Sequence, residues 1–199
     1  MESLVLAMVT EPSVCRAARS LLNRILVGHG VSALITEVEA YDGPNDPASH
    51  AYTRTPRSEI MYGPALRLYV YQMHGHHCAN IVTSPEGQGS AVLIRAGLIV
   101  DGLESARDRR RTARGDVADE LLGRGPGNLA KALGITKADL ATDLTSPEGV
   151  HLGPSADTKR PGEILAGPRV GVRLAADRPW RYWVDGEPSV SAYRRHSKA

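Results

Sequence analysis

The chain has 199 residues, with 24 Lys and Arg against 22 Asp and Glu for a net charge of +2; that length suits a single domain with a substantial buried core. No apolar run approaches the ~20 residues of a membrane span, and the N-terminal SLVLAMV lacks a basic flank and a cleavage signature, so neither a membrane nor an exported protein is expected. Two cysteines, Cys15 and Cys78, cannot form a disulfide framework; reduced thiols and a cytoplasmic compartment are expected.

In chain order, Thr10 is expected to cap a helix with Pro12 near its first turn and Val14, Ala17, Ala18, Leu21 and Leu22 as its apolar stripe. ILV and VSALITEVEAY, on either side of Gly28-His29-Gly30, predict a β-hairpin. Alternation along the second strand sends Ile35, Glu37, Glu39 and Tyr41 to one face, with same-face neighbours roughly 7 Å apart. Two carboxylates so placed either hang in solvent or line a site.

GPNDPASHAYTRTPRSE follows as a polar loop. RLYVYQM, CANIVT and SAVLIRAGLIV then predict three strands of an antiparallel meander, the last two joined by SPEGQG. Asp101 is placed to cap a helix through GLESARDRRR, and a shorter helix, LAKALGI, is expected after GRGPGN. PRVGVRL and RYWV return to strands before a basic tail. Strands grouped in the middle with helices on either side indicate an α+β fold in one domain spanning 1–199.

Basic and aromatic residues are unevenly placed. With no Phe in the chain, five of the seven tyrosines (Tyr41, Tyr52, Tyr62, Tyr69 and Tyr71) share one segment with Arg54, Arg57 and Arg67. Tyr69 and Tyr71 lie on one strand face, where they either fill the core or sandwich a planar base. A carboxylate beside such a cluster, with a histidine in the next loop and an arginine on a nearby strand, supplies the parts needed to activate a water.

HGHHC, His74 to Cys78, suggests a metal, but on a strand His76 and His77 point to opposite faces and no CxxC or HExxH accompanies them. A hairpin tip exposing His74 beside Gly75 is the favoured reading. GRGPGN matches no nucleotide fingerprint; it caps a helix, or its amides hold one phosphate. The run of Arg107, Arg109, Arg110, Arg111 and Arg114 is read first as a solvated helix face, with a backbone-contacting role left open.

EVEAYDGPNDPASHAY, TPRSEIMYGP, LYVYQMHG with HCAN, AVLIRA, GRGPGNLAKALGI, GPRVGV, PWRYWVDG and VSAYRR occur in this order. By these motifs the chain resembles, over nearly its whole length, the alkyladenine (3-methyladenine, methylpurine) DNA glycosylase family, the type lacking a helix-hairpin-helix. The resemblance implies a curved antiparallel sheet with a protruding hairpin. It also implies that Glu39 is the general base, and that Arg95 and the Val170 carbonyl hold the attacking water.

By the same resemblance, Tyr41, His50, Met61, Tyr71 and Asn80 form the pocket for an extruded base. His74 takes the place of the wedge, commonly a tyrosine, that enters the duplex. Arg54, Arg57, Gly127 and Asn128 are the expected DNA contacts, and Glu37 receives no role. The segment between Gly75 and Asn80 is one residue shorter than is usual in the family.

The implied protein is a monomeric, monofunctional glycosylase that acts on double-stranded DNA containing damaged purines, with no cofactor, metal or membrane. The lesions are 3-methyladenine, 7-methylguanine, hypoxanthine and ethenoadenine. Two rivals stay open: a catalytically silent nucleic-acid-binding module of the same fold, and a metal-dependent hydrolase built on HGHHC.

Overall fold

The computed structural model describes residues 11–113, 115–155 and 162–199. Among them, three α-helices, α1 (Ser13–Leu21), α2 (Leu103–Arg110) and α3 (Pro126–Leu133), pack on one antiparallel sheet in a single α+β domain. Its eight strands are β1 (Arg24–Gly28), β2 (Val31–Tyr41), β3 (Leu68–Met73), β4 (His76–Val82), β5 (Ala91–Asp101), β6 (His151–Ser155), β7 (Ile164–Gly167) and β8 (Arg181–Val184). The order is β3-β4-β5-β2-β1-β6, with β8 pairing to β2 and β7. No helix among the described residues is long and apolar enough to cross a membrane.

α1 buries Val14, Cys15, Ala18 and Leu21, the one-sided stripe of an amphipathic helix. Pro12 sits at its N-cap, ahead of the helix, and Thr10, the expected cap, lies outside the described residues. The β1–β2 hairpin turns on His29 and Gly30, both at positive φ, as a two-residue hairpin turn requires.

β2 is the central strand. It pairs with β5 along its length, with β1 through Val31–Leu34 and with β8 through Glu37–Glu39. Its register against β5 slips on both sides of Glu37. The extra residue of such a bulge resets alternation, so Val31, Ala33 and Ile35, then Val38 and Ala40, face the core. Ile35 therefore does not share the face of Glu37 and Glu39, contrary to simple alternation.

The β3–β4 hairpin protrudes as expected: Gln72 through His76 are all exposed, and the chain reverses at His74 and Gly75, both at positive φ. Other boundaries differ from the sequence reading. Asp101 ends β5 and accepts the Gly102 N–H, while Gly102 itself is the N-cap of α2. α3 begins at Pro126, inside GRGPGN, so Gly127 and Asn128 form its first turn.

PRVGVRL is not a strand; β7 is the preceding ILAG. The ladder stops before Pro168, which has no N–H to extend it, and Arg169 turns its side chain inward to Asp46. β6, not anticipated because HLGPS carries Gly and Pro, is tolerated as an edge strand beside β1.

The arginine run is less solvated than expected. Arg109 donates to the carbonyls of Ala132 and His29, and Arg110 to that of Leu122, which ties α2 to α3 and to the β1–β2 turn. Arg107 and Arg111 pair with Asp119 and Asp116 at the surface. Arg114 lies outside the described residues.

Candidate active site

Glu39, on β2, is fully buried yet lines a cleft of about 350 Å³. Its Oε1 accepts the Val170 amide at 2.7 Å and lies 3.4 Å from Arg95 Nη1, and its Oε2 accepts the Tyr41 hydroxyl at 2.8 Å. Val170 thus meets Glu39 through its amide, a contact separate from the water-holding role that the sequence resemblance implies for its carbonyl. Arg95 comes from β5, whose pairing with β2 brings it opposite the two glutamates.

Burial, then the charge of Glu39, push the Tyr41 hydroxyl well above its usual range, so it remains a donor to the carboxylate. Two hydrogen bonds, with the Arg95 guanidinium at ion-pair distance, leave lone-pair capacity on the carboxylate for a further hydrogen bond, because an ionised carboxyl offers about four acceptor positions.

A smaller cavity opens from the cleft, walled by Tyr41, His50, Met61, Tyr69, Tyr71 and Asn80 with Ala48 and Ala91. Tyr41, Ala48, His50 and Tyr71 line both spaces and form the neck between them. The rings of Tyr69 and Tyr71 lie 5.7 Å apart, and His50 meets Tyr71 edge-on at 4.7 Å. Desolvation and the Tyr71–Cys78 contact raise the Tyr71 hydroxyl far above its usual value, so the ring enters as a neutral wall.

Arg57 Nη2 stands 3.4 Å from His50 Nε2 and its guanidinium lies over Tyr71. Since a guanidinium only donates, Nε2 is the acceptor, which places the imidazole proton on Nδ1, where it is donated to the Tyr69 oxygen at 3.0 Å. Partial desolvation, then the charge of Arg57, lower the His50 pKa to about 4, so the ring is neutral near pH 7. The Asn80 amide nitrogen donates to the carbonyls of Tyr69 and Cys78, which turns its oxygen away from that strand pair.

Sequence reasoning missed the support beneath this wall. Asp46 and Arg169 form a fully buried ion pair; Arg169 also donates to the Ala40 carbonyl and stacks on Tyr41 and Trp180. Tyr69, in the sequence half of an alternating pair with Tyr71, also walls the pocket. No local signal marks the Asp46–Arg169 pair, because its members are 123 residues apart.

The expected DNA contacts separate into two groups. Gly127 and Asn128 flank the exposed hairpin, sharing a depression with Met73, His74 and His76, and a Cβ on Gly127 would come within 2.8 Å of His76 Cβ. Arg57 is at the pocket rim. Arg54 lies apart from the cleft lining, bidentate to Glu59 and stacked on Tyr62. Among the described residues no three His, Cys, Asp or Glu come together as a metal site, and Cys15 and Cys78 are free and buried.

The model of the methylpurine-DNA glycosylase family matches residues 8–188. The chain belongs to that family. Proteins of Mycobacterium tuberculosis and Mycobacterium bovis are 50% identical to it over 190 residues, covering 92% of this chain and 91% of theirs. One from Mycolicibacterium paratuberculosis is 48% identical over 190 residues, covering 92% and 90%. All three carry the provisional name 3-methyladenine DNA glycosylase.

Proposed function

We propose that this family member is a monofunctional DNA glycosylase that extrudes a damaged purine from duplex DNA and hydrolyses its N-glycosidic bond with a water activated by Glu39. The observation that carries the reading is a buried carboxylate with acceptor capacity to spare, lining the cleft from which an aromatic-walled cavity opens.

Extrusion costs a few kcal/mol, least for a badly paired lesion, and His74 at the exposed hairpin tip fills the vacated stack. The base enters between Tyr41, Tyr71 and His50, where electron-rich rings favour a methylated, positively charged purine. Such a base is already a good leaving group. As its bond lengthens, positive charge grows on the sugar, and the Glu39 carboxylate both stabilises that charge and takes the proton of the attacking water. Water oxygen bonds to the sugar carbon, the bond electrons leave with the base, and no covalent enzyme intermediate is needed. Gly127, Asn128 and Arg57 flank the path of the strand around the hairpin.

The test is incubation with alkylated duplex DNA, then alkali cleavage of abasic sites and identification of the released bases. Free 3-methyladenine or 7-methylguanine with an intact abasic strand supports the reading. Tight DNA binding with no base released would favour the silent module.

A further inference from the structure

Glu37 is fully buried and does not line the cleft, yet four donors converge on its carboxylate. Arg95 Nε reaches Oε1 at 3.0 Å and Arg181 Nε reaches it at 2.6 Å; the Ser191 amide reaches Oε2 at 2.8 Å and the Ser191 hydroxyl reaches Oε1 at 3.0 Å. The same hydroxyl accepts Arg95 Nη2 at 3.0 Å, and the Ser191 carbonyl accepts Arg181 Nη2 at 2.8 Å. A hydroxyl has one proton and two lone pairs, so giving the proton to Glu37 and a lone pair to Arg95 satisfies both contacts. Ser191 lies beyond residue 188, where the family match ends.

We propose that Glu37 and Ser191 are positioning residues that set Arg95 against Glu39. A guanidinium is planar and rigid, so fixing Nε and Nη2 fixes the direction of Nη1, the nitrogen that stands 3.4 Å from Glu39. The competition matters as much as the aim. Freed of Glu37, Arg95 would be drawn into a two-pronged pair with Glu39, the strongest arrangement of these groups, and would occupy the acceptor position that the water needs. With Glu37 in place, two buried carboxylates face two buried arginines, Arg95 and Arg181, and Glu39 keeps that position open.

This inference rests on Glu39 being the base, so the experiment carries its own control. Single-turnover base release from alkylated duplex and binding to a duplex with an abasic-site analogue are measured for wild type, Ser191→Ala, Ser191→Thr, Glu37→Gln, the Ser191→Ala/Glu37→Gln double variant and Glu39→Gln. Ser191→Ala removes one oxygen and keeps the backbone contacts, so it folds even if Glu37→Gln is too unstable to assay.

Release by Ser191→Ala should fall on the order of tenfold, the scale of a sub-ångström misplacement, with abasic-site binding within about twofold of wild type. Ser191→Thr should recover most of the loss, and the double variant should be no worse than Glu37→Gln alone, as residues acting as one unit are not additive. Wild-type release by Ser191→Ala, equal losses of release and binding, or no rescue by Thr would overturn the proposal. If Ser191→Ala is normal while Glu39→Gln is inactive, only the positioning role fails; if Glu39→Gln is itself normal, the base assignment fails and the positioning role with it.

Discussion

Arg169 stacks on Tyr41 with its guanidinium carbon 4.6 Å from the ring centroid, and this contact joins the pocket wall to the backbone that holds the candidate base. Tyr41 donates to Glu39 through its hydroxyl, and Val170, the next residue after Arg169, donates to Glu39 through its amide. One buried cation thus adjoins the sources of both hydrogen bonds to Glu39.

That cation depends on Asp46. Removing one partner of a buried ion pair leaves an uncompensated charge and costs about 3–5 kcal/mol. In Asp46→Asn the melting temperature should fall by roughly 6–20 °C for a domain of this size, and Arg169→Met, which strands the buried Asp46 carboxylate in turn, should also destabilise the fold. A drop within a degree or two in Asp46→Asn would show that the pair is dispensable.

His50 couples stability to pH in a known direction. Unfolded, its imidazole titrates near 6.5; folded, it is held to about 4 by desolvation and by Arg57. Between those values the unfolded chain binds the extra proton, so the neutral ring's contribution is full above pH 6.5 and is lost as pH falls toward 4. Denaturant unfolding at several pH values should show wild type losing stability faster than His50→Gln across that window. Parallel curves would mean that His50 titrates normally in the fold.

His74 sits at the exposed tip with Gly75, and an imidazole is a smaller wedge than a phenol. Truncation to Ala should weaken cleavage of lesions in matched duplex more than in mismatched or gapped duplex, where less unstacking remains to be offset. Melting temperature should barely change. A uniform defect on every substrate with a lowered melting temperature would remove the wedge role.

The proposed chemistry uses a carboxylate and water, so base release should be indifferent to EDTA. Loss of activity on chelation, restored by zinc, would revive the metal reading of His74, His76 and His77.

Much of this was legible in the sequence where the cause is local. Gly30 and Gly75 mark two-residue turns, apolar runs beside them give β1 to β4, and SAVLIRAGLIV after SPEGQG gives β5. Glu39, Tyr41, His50, Tyr71 and Arg95 came from ordered motifs, and the fold brings them to one cleft. The bulge at Glu37 was not legible, because it arises where β2 exchanges β1 for β8 as its neighbour. β6 hid behind Gly153 and Pro154. Glu37 had no role in the sequence because its partners include Ser191, 154 residues away in what reads as a basic tail.

The central claim is that Glu39 activates the water, and the most direct measurement is single-turnover base release by Glu39→Gln, which keeps the shape and hydrogen bonding but cannot take the proton. Release from alkylated duplex should fall on the order of 10²-fold or more, the scale of a lost general base, while abasic-site-analogue binding persists. Release near the wild-type rate, with the variant folded and binding DNA, would contradict the mechanism.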